Sequence, residues 1–125
     1  MTHSELYDLA LKARENAYSP YSGVKVGAAL LCADGRIFTG VNVENASYGA
    51  TICAERSAAC AAVTAGERQF AAIAVSGTMA RETPCGICRQ FLMEFSPTMD
   101  VVWRDPDGGL VVKRLNEILP EACAL

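Results

Sequence analysis

Histidine and tryptophan each occur once in the 125 residues, and aromatic side chains make up only 7% of them. The single histidine, His3, lies in a terminal stretch of the kind that frays, so imidazole is poorly placed to hold a metal. No stretch of 18 apolar residues runs uninterrupted, which leaves no membrane-spanning helix. The opening Met1-Thr2-His3-Ser4-Glu5 lacks the basic segment and apolar stretch of a secretion signal. Lys and Arg do not cluster, and a net charge of −3 gives no basic face for nucleic acid. These absences predict a soluble, cytoplasmic protein that binds no nucleic acid and takes a small neutral substrate. There is also no linker, repeat or low-complexity stretch, and with 51% apolar residues the chain reads as a single domain over residues 1–125.

What is present is cysteine, six in all. Without a secretion signal, metal binding, catalysis or core packing is a better use for them than disulfides. Cys53 lies in Thr51-Ile52-Cys53-Ala54-Glu55-Arg56, and Cys85 and Cys88 lie in Thr83-Pro84-Cys85-Gly86-Ile87-Cys88-Arg89. Both stretches read as helix starts with a capping threonine, the second with proline at the first helical position. The thiols would then stand in two first turns, where the helix dipole favours thiolate.

The remaining elements follow from periodicity and turn chemistry. Ser4 is expected to cap a helix reaching Ala17, with Leu6, Ala10, Ala13 and Ala17 on one stripe. Residues 24–33 and 36–43 read as strands joined by the tight turn Asp34-Gly35. A helix from Ile52 to about Thr64 precedes an apolar strand over 70–76, and a helix from Pro84 carries Ile87, Phe91 and Phe95 on one stripe until Pro97. Residues 99–104 and 110–114 read as strands, and 115–119 as a last helical turn. Helices between strands imply parallel βαβαβ winding. The joint from Asp105 to Gly109 is too short for a parallel crossover, so the last two strands should be antiparallel.

Cys85 and Cys88, three residues apart, can reach one metal ion, and Cys53 offers a third sulfur. Cys60 lies about 10.5 Å further along the helix axis than Cys53, too far for both to share an ion. Cys32 and Cys123 lack metal-type spacing. The fourth position is thus left to water, whose pKa an open zinc site lowers to about 7. Glu55 is placed beside the ligands as a proton shuttle. Three thiolates leave zinc with a net charge of −1, which Arg56 or Arg89 could offset by hydrogen bonding to sulfur.

Cys-Ala-Glu followed some thirty residues later by Pro-Cys-x-x-Cys is similar to the zinc deaminase signature. With Pro20-Tyr21-Ser22, Val26-Gly27-Ala28-Ala29, Asn42-Val43-Glu44-Asn45 and Leu119-Pro120-Glu121-Ala122, nearly the whole chain resembles the short, three-cysteine cytidine deaminases. The resemblance implies an α/β fold: a three-layer α/β/α sandwich with a mixed five-stranded sheet whose last two strands are antiparallel, where polynucleotide-editing relatives have them parallel. It also implies a homotetramer and hydrolytic deamination of cytidine and deoxycytidine in pyrimidine salvage. By likeness, Cys53, Cys85 and Cys88 hold Zn2+ and Glu55 moves protons from the zinc water to N3 and the leaving amine. Asn42 and Glu44 bind the ribose, the Ala54 N–H meets the base carbonyl, and Tyr48 reaches a neighbouring subunit's site. Relatives often carry aromatics where this chain has Val24 and Cys123, so a wider base pocket is expected. Two alternatives stand beside this reading: a deaminase of another aminopyrimidine, such as N4-substituted cytidines or blasticidin S, and a non-catalytic zinc-stabilised oligomerisation module.

Overall fold

The computed structural model describes residues 1–79 and 83–125. In chain order these form α1 (His3–Ala13), a 3-10 turn (Arg14–Asn16), β1 (Val26–Cys32), β2 (Ile37–Val41), a 3-10 turn (Tyr48–Ala50), α2 (Ala54–Thr64), β3 (Phe70–Gly77), α3 (Gly86–Met93), β4 (Asp100–Arg104), β5 (Leu110–Arg114) and α4 (Leu115–Ile118). Among the described residues the strands make one five-stranded sheet in the order β2-β1-β3-β4-β5.

The Asp34-Gly35 turn closes the first hairpin. Gly35 takes φ +94°, a region that costs glycine nothing, and the Asp34 carboxylate accepts the Arg36 N–H. Strand β1 runs antiparallel to both β2 and β3, so β2 and β3 point the same way with β1 between them. Strand β3 pairs directly with β4 in parallel, and β4 with β5 antiparallel, as the short joint requires. The expected βαβαβ winding is therefore β2-α2-β3-α3-β4, with β1 inserted.

Alternating side chains feed two cores. On one face Leu6, Tyr7 and Ala10 of α1 pack against Ala29, Ala72, Ala74 and Val102. On the other, Ala54, Ala58, Ala59 and Ala62 of α2 and Leu92 of α3 cover Ala28, Leu30, Ile73 and Val101. This is the three-layer α/β/α arrangement. No helix among the described residues is long and apolar enough to cross a membrane.

Several element ends differ from expectation. Thr2, not Ser4, caps α1, in a reciprocal box with Glu5, and α1 gives way to a 3-10 turn after Ala13 instead of running to Ala17. Cys53 and Cys85 are themselves the N-cap residues of α2 and α3. The threonines lie outside: the Thr51 hydroxyl accepts the Asn45 N–H and ties the preceding loop instead. Helix α3 ends at Met93 and does not run to Pro97, leaving Phe95 beyond its end, where its ring meets those of Phe91 and Phe70 at tilted angles. Ile87, however, is exposed, because the helix turns Cys88 and Leu92 inward.

Candidate active site

Because β2 and β3 are parallel, the helices that follow them start at the same edge of the sheet, the carboxyl end where α/β proteins place ligands. This is what brings residues 53 and 85 together across 32 positions of chain. The entry to α2 is braced by paired backbone bonds between Val43 and Ile52 and by a bridge from Tyr18 to Val43.

Neither cap cysteine uses its sulfur to cap the backbone of its helix, and the sulfurs face one another instead. Cys53 Sγ lies 3.8 Å from Cys85 Sγ, and Cys85 Sγ lies 3.5 Å from Cys88 Sγ. All three lie within 4.8 Å of one another. Sulfurs around a tetrahedral zinc, with Zn–S near 2.3 Å, stand about 3.8 Å apart, so this donor set fits the metal. Among the described residues no further side chain joins the cluster. Cys32 is buried elsewhere, and Cys60 and Cys123 are exposed.

Charge in the cluster is uneven. The Cys53 thiol is drawn down to about 5, first by the hydrogen bond from Cys88 and then, against the cost of burial, by Arg56 and Cys85. Cys88, the donor in that bond and itself buried, is driven up. Arg56 donates from a terminal nitrogen to Cys53 Sγ at 3.5 Å, which is the sulfur contact expected of it. Arg89 does not play that part. Its guanidinium donates to the carbonyls of Pro84 and Ile118, tying the start of α3 to α4.

Glu55 is 4% exposed. Burial pushes its carboxyl up to about 7, its own backbone N–H pulls the other way, and the Cys53 thiolate adds to the rise. It stands outside the sulfur cluster but lines the same cavity of about 220 Å³, together with Val24, Asn42, Cys53, Ala54 and Cys85. The Ala54 N–H, at the first helical position, has no partner within the helix. The Asn42 amide is clamped at both ends, Oδ1 accepting the Val26 N–H at 2.9 Å and Nδ2 donating to the Val24 carbonyl at 2.8 Å.

Glu44 and Tyr48 do not line that cavity. They border an adjoining hollow of about 400 Å³ with Tyr21, Ser22 and Asn45, and Thr51 is common to both. The Glu44 carboxylate accepts the Tyr21 and Ser22 N–H groups and the Ser22 hydroxyl, which hold it below the usual carboxylate range. Tyr48 is 78% exposed and meets Tyr21 edge-on. Cys123 lies away from the cavity, its backbone bonded at both ends to the Gln90 side chain. Sequence reasoning missed Val75, Gly77, Met79 and Thr83 as cavity walls. The carboxyl end of a strand flanked by parallel crossovers is the signal that points to the first two.

The family model for the cytidine and deoxycytidylate deaminase zinc-binding region matches residues 1–104. A cytidine deaminase from Halalkalibacterium halodurans is 44% identical over 124 residues, covering 98% of this chain and 94% of its own. Another from Mycobacterium tuberculosis is 44% identical over 117 residues, covering 93% and 85% respectively. The crystal structure of cytidine deaminase from Burkholderia pseudomallei superposes with a TM-score of 0.92 at 50% identity, over 98% of this chain and 100% of that one. With the sulfur cluster and the mixed sheet already in place, these likenesses show that the chain belongs to the zinc-binding cytidine and deoxycytidylate deaminase family.

Proposed function

We propose that the protein is a hydrolase that converts cytidine and deoxycytidine to uridine and deoxyuridine, releasing ammonia. One observation carries this reading: of three sulfurs at zinc spacing, those of Cys53 and Cys85 belong to residues that line the same cavity as a buried carboxylate outside the cluster. Three protein donors are the count of a catalytic zinc site, whereas a structural site normally has four. Cys53, Cys85 and Cys88 would hold the zinc, a Lewis acid that would lower the pKa of water to about 7.

The rest falls to the chain. Water adds at C4 of the base and the C4–N bond breaks. Glu55 takes a proton from the water and delivers it to N3, then carries the proton of the new C4 hydroxyl to the departing amino nitrogen, as a positioned acid and base does. The Ala54 N–H donates to the base carbonyl, and Val24 walls one side of the ring. Asn42, with one amide hydrogen committed to the Val24 carbonyl, keeps the other for a ribose hydroxyl. Glu44, in the adjoining hollow, accepts from the sugar. Tyr48 reaches into a neighbouring chain's site within a homotetramer, which works in the cytoplasm in pyrimidine salvage.

Deamination of cytidine in 18O-labelled water tests the reaction itself. One equivalent of ammonia and one label in uridine, read by mass spectrometry, are the expected products; uridine without label, or no uridine, contradicts a hydrolytic reaction at this site. The small side chain at position 24 gives a second expectation. Val24→Phe lowers KM for cytidine about 5-fold, the equivalent of about 1 kcal/mol of ring stacking, and lowers the relative rate on N4-methylcytidine. Steady-state kinetics on the two substrates check both effects, and equal discrimination in wild type and variant contradicts the second.

A further inference from the structure

Gly40 lies in β2 opposite Ala28, two residues before Asn42. Its backbone does not require glycine, because its φ is not among the positive values; the space around it does. A Cβ at this position would stand 2.4 Å from the Ala58 nitrogen, 2.5 Å from the Ala54 carbonyl oxygen and 3.0 Å from the Ala58 Cα. These are backbone atoms of α2, which no rotamer change can move aside. Ala54 is also the first residue of α2, between Cys53 and Glu55.

We propose that Gly40 is a positioning residue for the reaction. By lacking a side chain, it sets the depth at which the first turn of α2 seats on β2. That depth fixes the Cys53 sulfur against Cys85 and Cys88, which belong to a different helix, and the Glu55 carboxylate against the cavity. The same steric device recurs at Gly27, where a Cβ would meet the Ala10 carbonyl oxygen at 2.2 Å. There it seats α1, which carries no member of the sulfur cluster. The helix resting on Gly40 carries half of the site.

The size of the effect follows from the contacts. Bringing a 2.4 Å approach out to the 3.0–3.4 Å that a tight Cβ contact tolerates moves the start of α2 by roughly 0.6–1.0 Å. A misplacement of about 1 Å costs on the order of 10²-fold in rate. The kinetic part of this inference rests on the cytidine deaminase reading, whereas the metal-site part does not.

The test compares wild type with Gly40→Ala and Leu6→Ala, each zinc-loaded for kinetics and cobalt-substituted for spectroscopy. Leu6 is buried under α1 on the opposite face of the sheet, so its truncation lowers stability without touching α2. Gly40→Ala is expected to shift the sulfur-to-cobalt absorption bands, weaken zinc binding at least about 10-fold, and lower kcat on the order of 10²-fold with a smaller change in KM. Leu6→Ala is expected to keep the wild-type spectrum and kcat.

A folded Gly40→Ala with wild-type spectrum, zinc affinity and kcat overturns the inference, as does an equal loss of kcat in Leu6→Ala. Should Gly40→Ala fail to fold, Ala58→Ser adds a single oxygen to the buried residue of α2 whose backbone faces Gly40. A shifted cobalt spectrum then supports the inference and an unchanged one overturns it. A wild-type protein inactive on cytidine, but with the cobalt shift in Gly40→Ala, defeats the assigned reaction and leaves the positioning role standing.

Discussion

Glu55→Gln is expected to lower turnover of cytidine by about 10²–10⁴-fold, the contribution of a positioned general acid and base, while zinc content and fold are retained. Glutamine matches glutamate in size and can still accept and donate hydrogen bonds, but it cannot take a proton from water. The carboxylate it replaces is almost wholly buried and stands outside the sulfur cluster, so the substitution leaves the metal donors untouched. Removing a buried charge does not destabilise the first turn of α2, because burial already opposes that charge. Single-turnover rates, metal analysis and thermal melting on one preparation separate the possibilities. Loss of zinc or of the folded state alongside activity would make Glu55 a structural residue and contradict the account.

Cys85→Ser is expected to abolish zinc binding and activity together. A serine hydroxyl does not ionise near neutral pH and is a far poorer zinc donor than thiolate. The affinity loss should exceed the roughly 10–100-fold that removal of an outer hydrogen-bond partner costs. The position makes the test specific. Cys85 is the N-cap of α3 and makes no capping bond there, whereas serine is among the best capping residues. The helix therefore keeps or gains local stability while the metal site loses a donor, so any fall in melting temperature reports the metal. Metal analysis and melting with and without a chelator check this. Retained zinc in Cys85→Ser would show that the donor set differs from Cys53, Cys85 and Cys88.

The sequence carried most of the architecture because its punctuation was local. Asp34-Gly35 named the hairpin, the short joint over 105–109 fixed the antiparallel end, and uninterrupted apolar character marked β3 as covered on both faces. The sulfur cluster was legible for the same reason, since a three-residue spacing at a helix start has few other uses. The helix caps were less legible. Threonine is the better intrinsic cap, so propensity pointed to Thr51 and Thr83. In the fold the cysteines take those positions with extended backbone, which frees their sulfurs to face one another. A choice between helix capping and metal binding is tertiary and leaves no local mark.

Other features depended on contacts between distant segments. The insertion of β1 between β2 and β3 follows from pairing across some forty residues. The choice between Arg56 and Arg89 as the arginine on sulfur turned on Ile118, a carbonyl 29 residues from Arg89 that engages its guanidinium. Gly40 reads in sequence as an ordinary strand glycine. Its meaning appears only once the backbone of α2 is seen lying against it.

The central claim is that this chain deaminates a free nucleoside at a zinc site formed by two helix starts. The most direct measurement is the ultraviolet absorbance of cytidine mixed with zinc-replete protein, beside the same protein stripped of metal by a chelator and then reloaded. The account predicts conversion of cytidine to uridine by the zinc-replete protein, none by the stripped protein, and recovery on reloading. No conversion by protein carrying one zinc per chain, or equal conversion after the metal is removed, would contradict it.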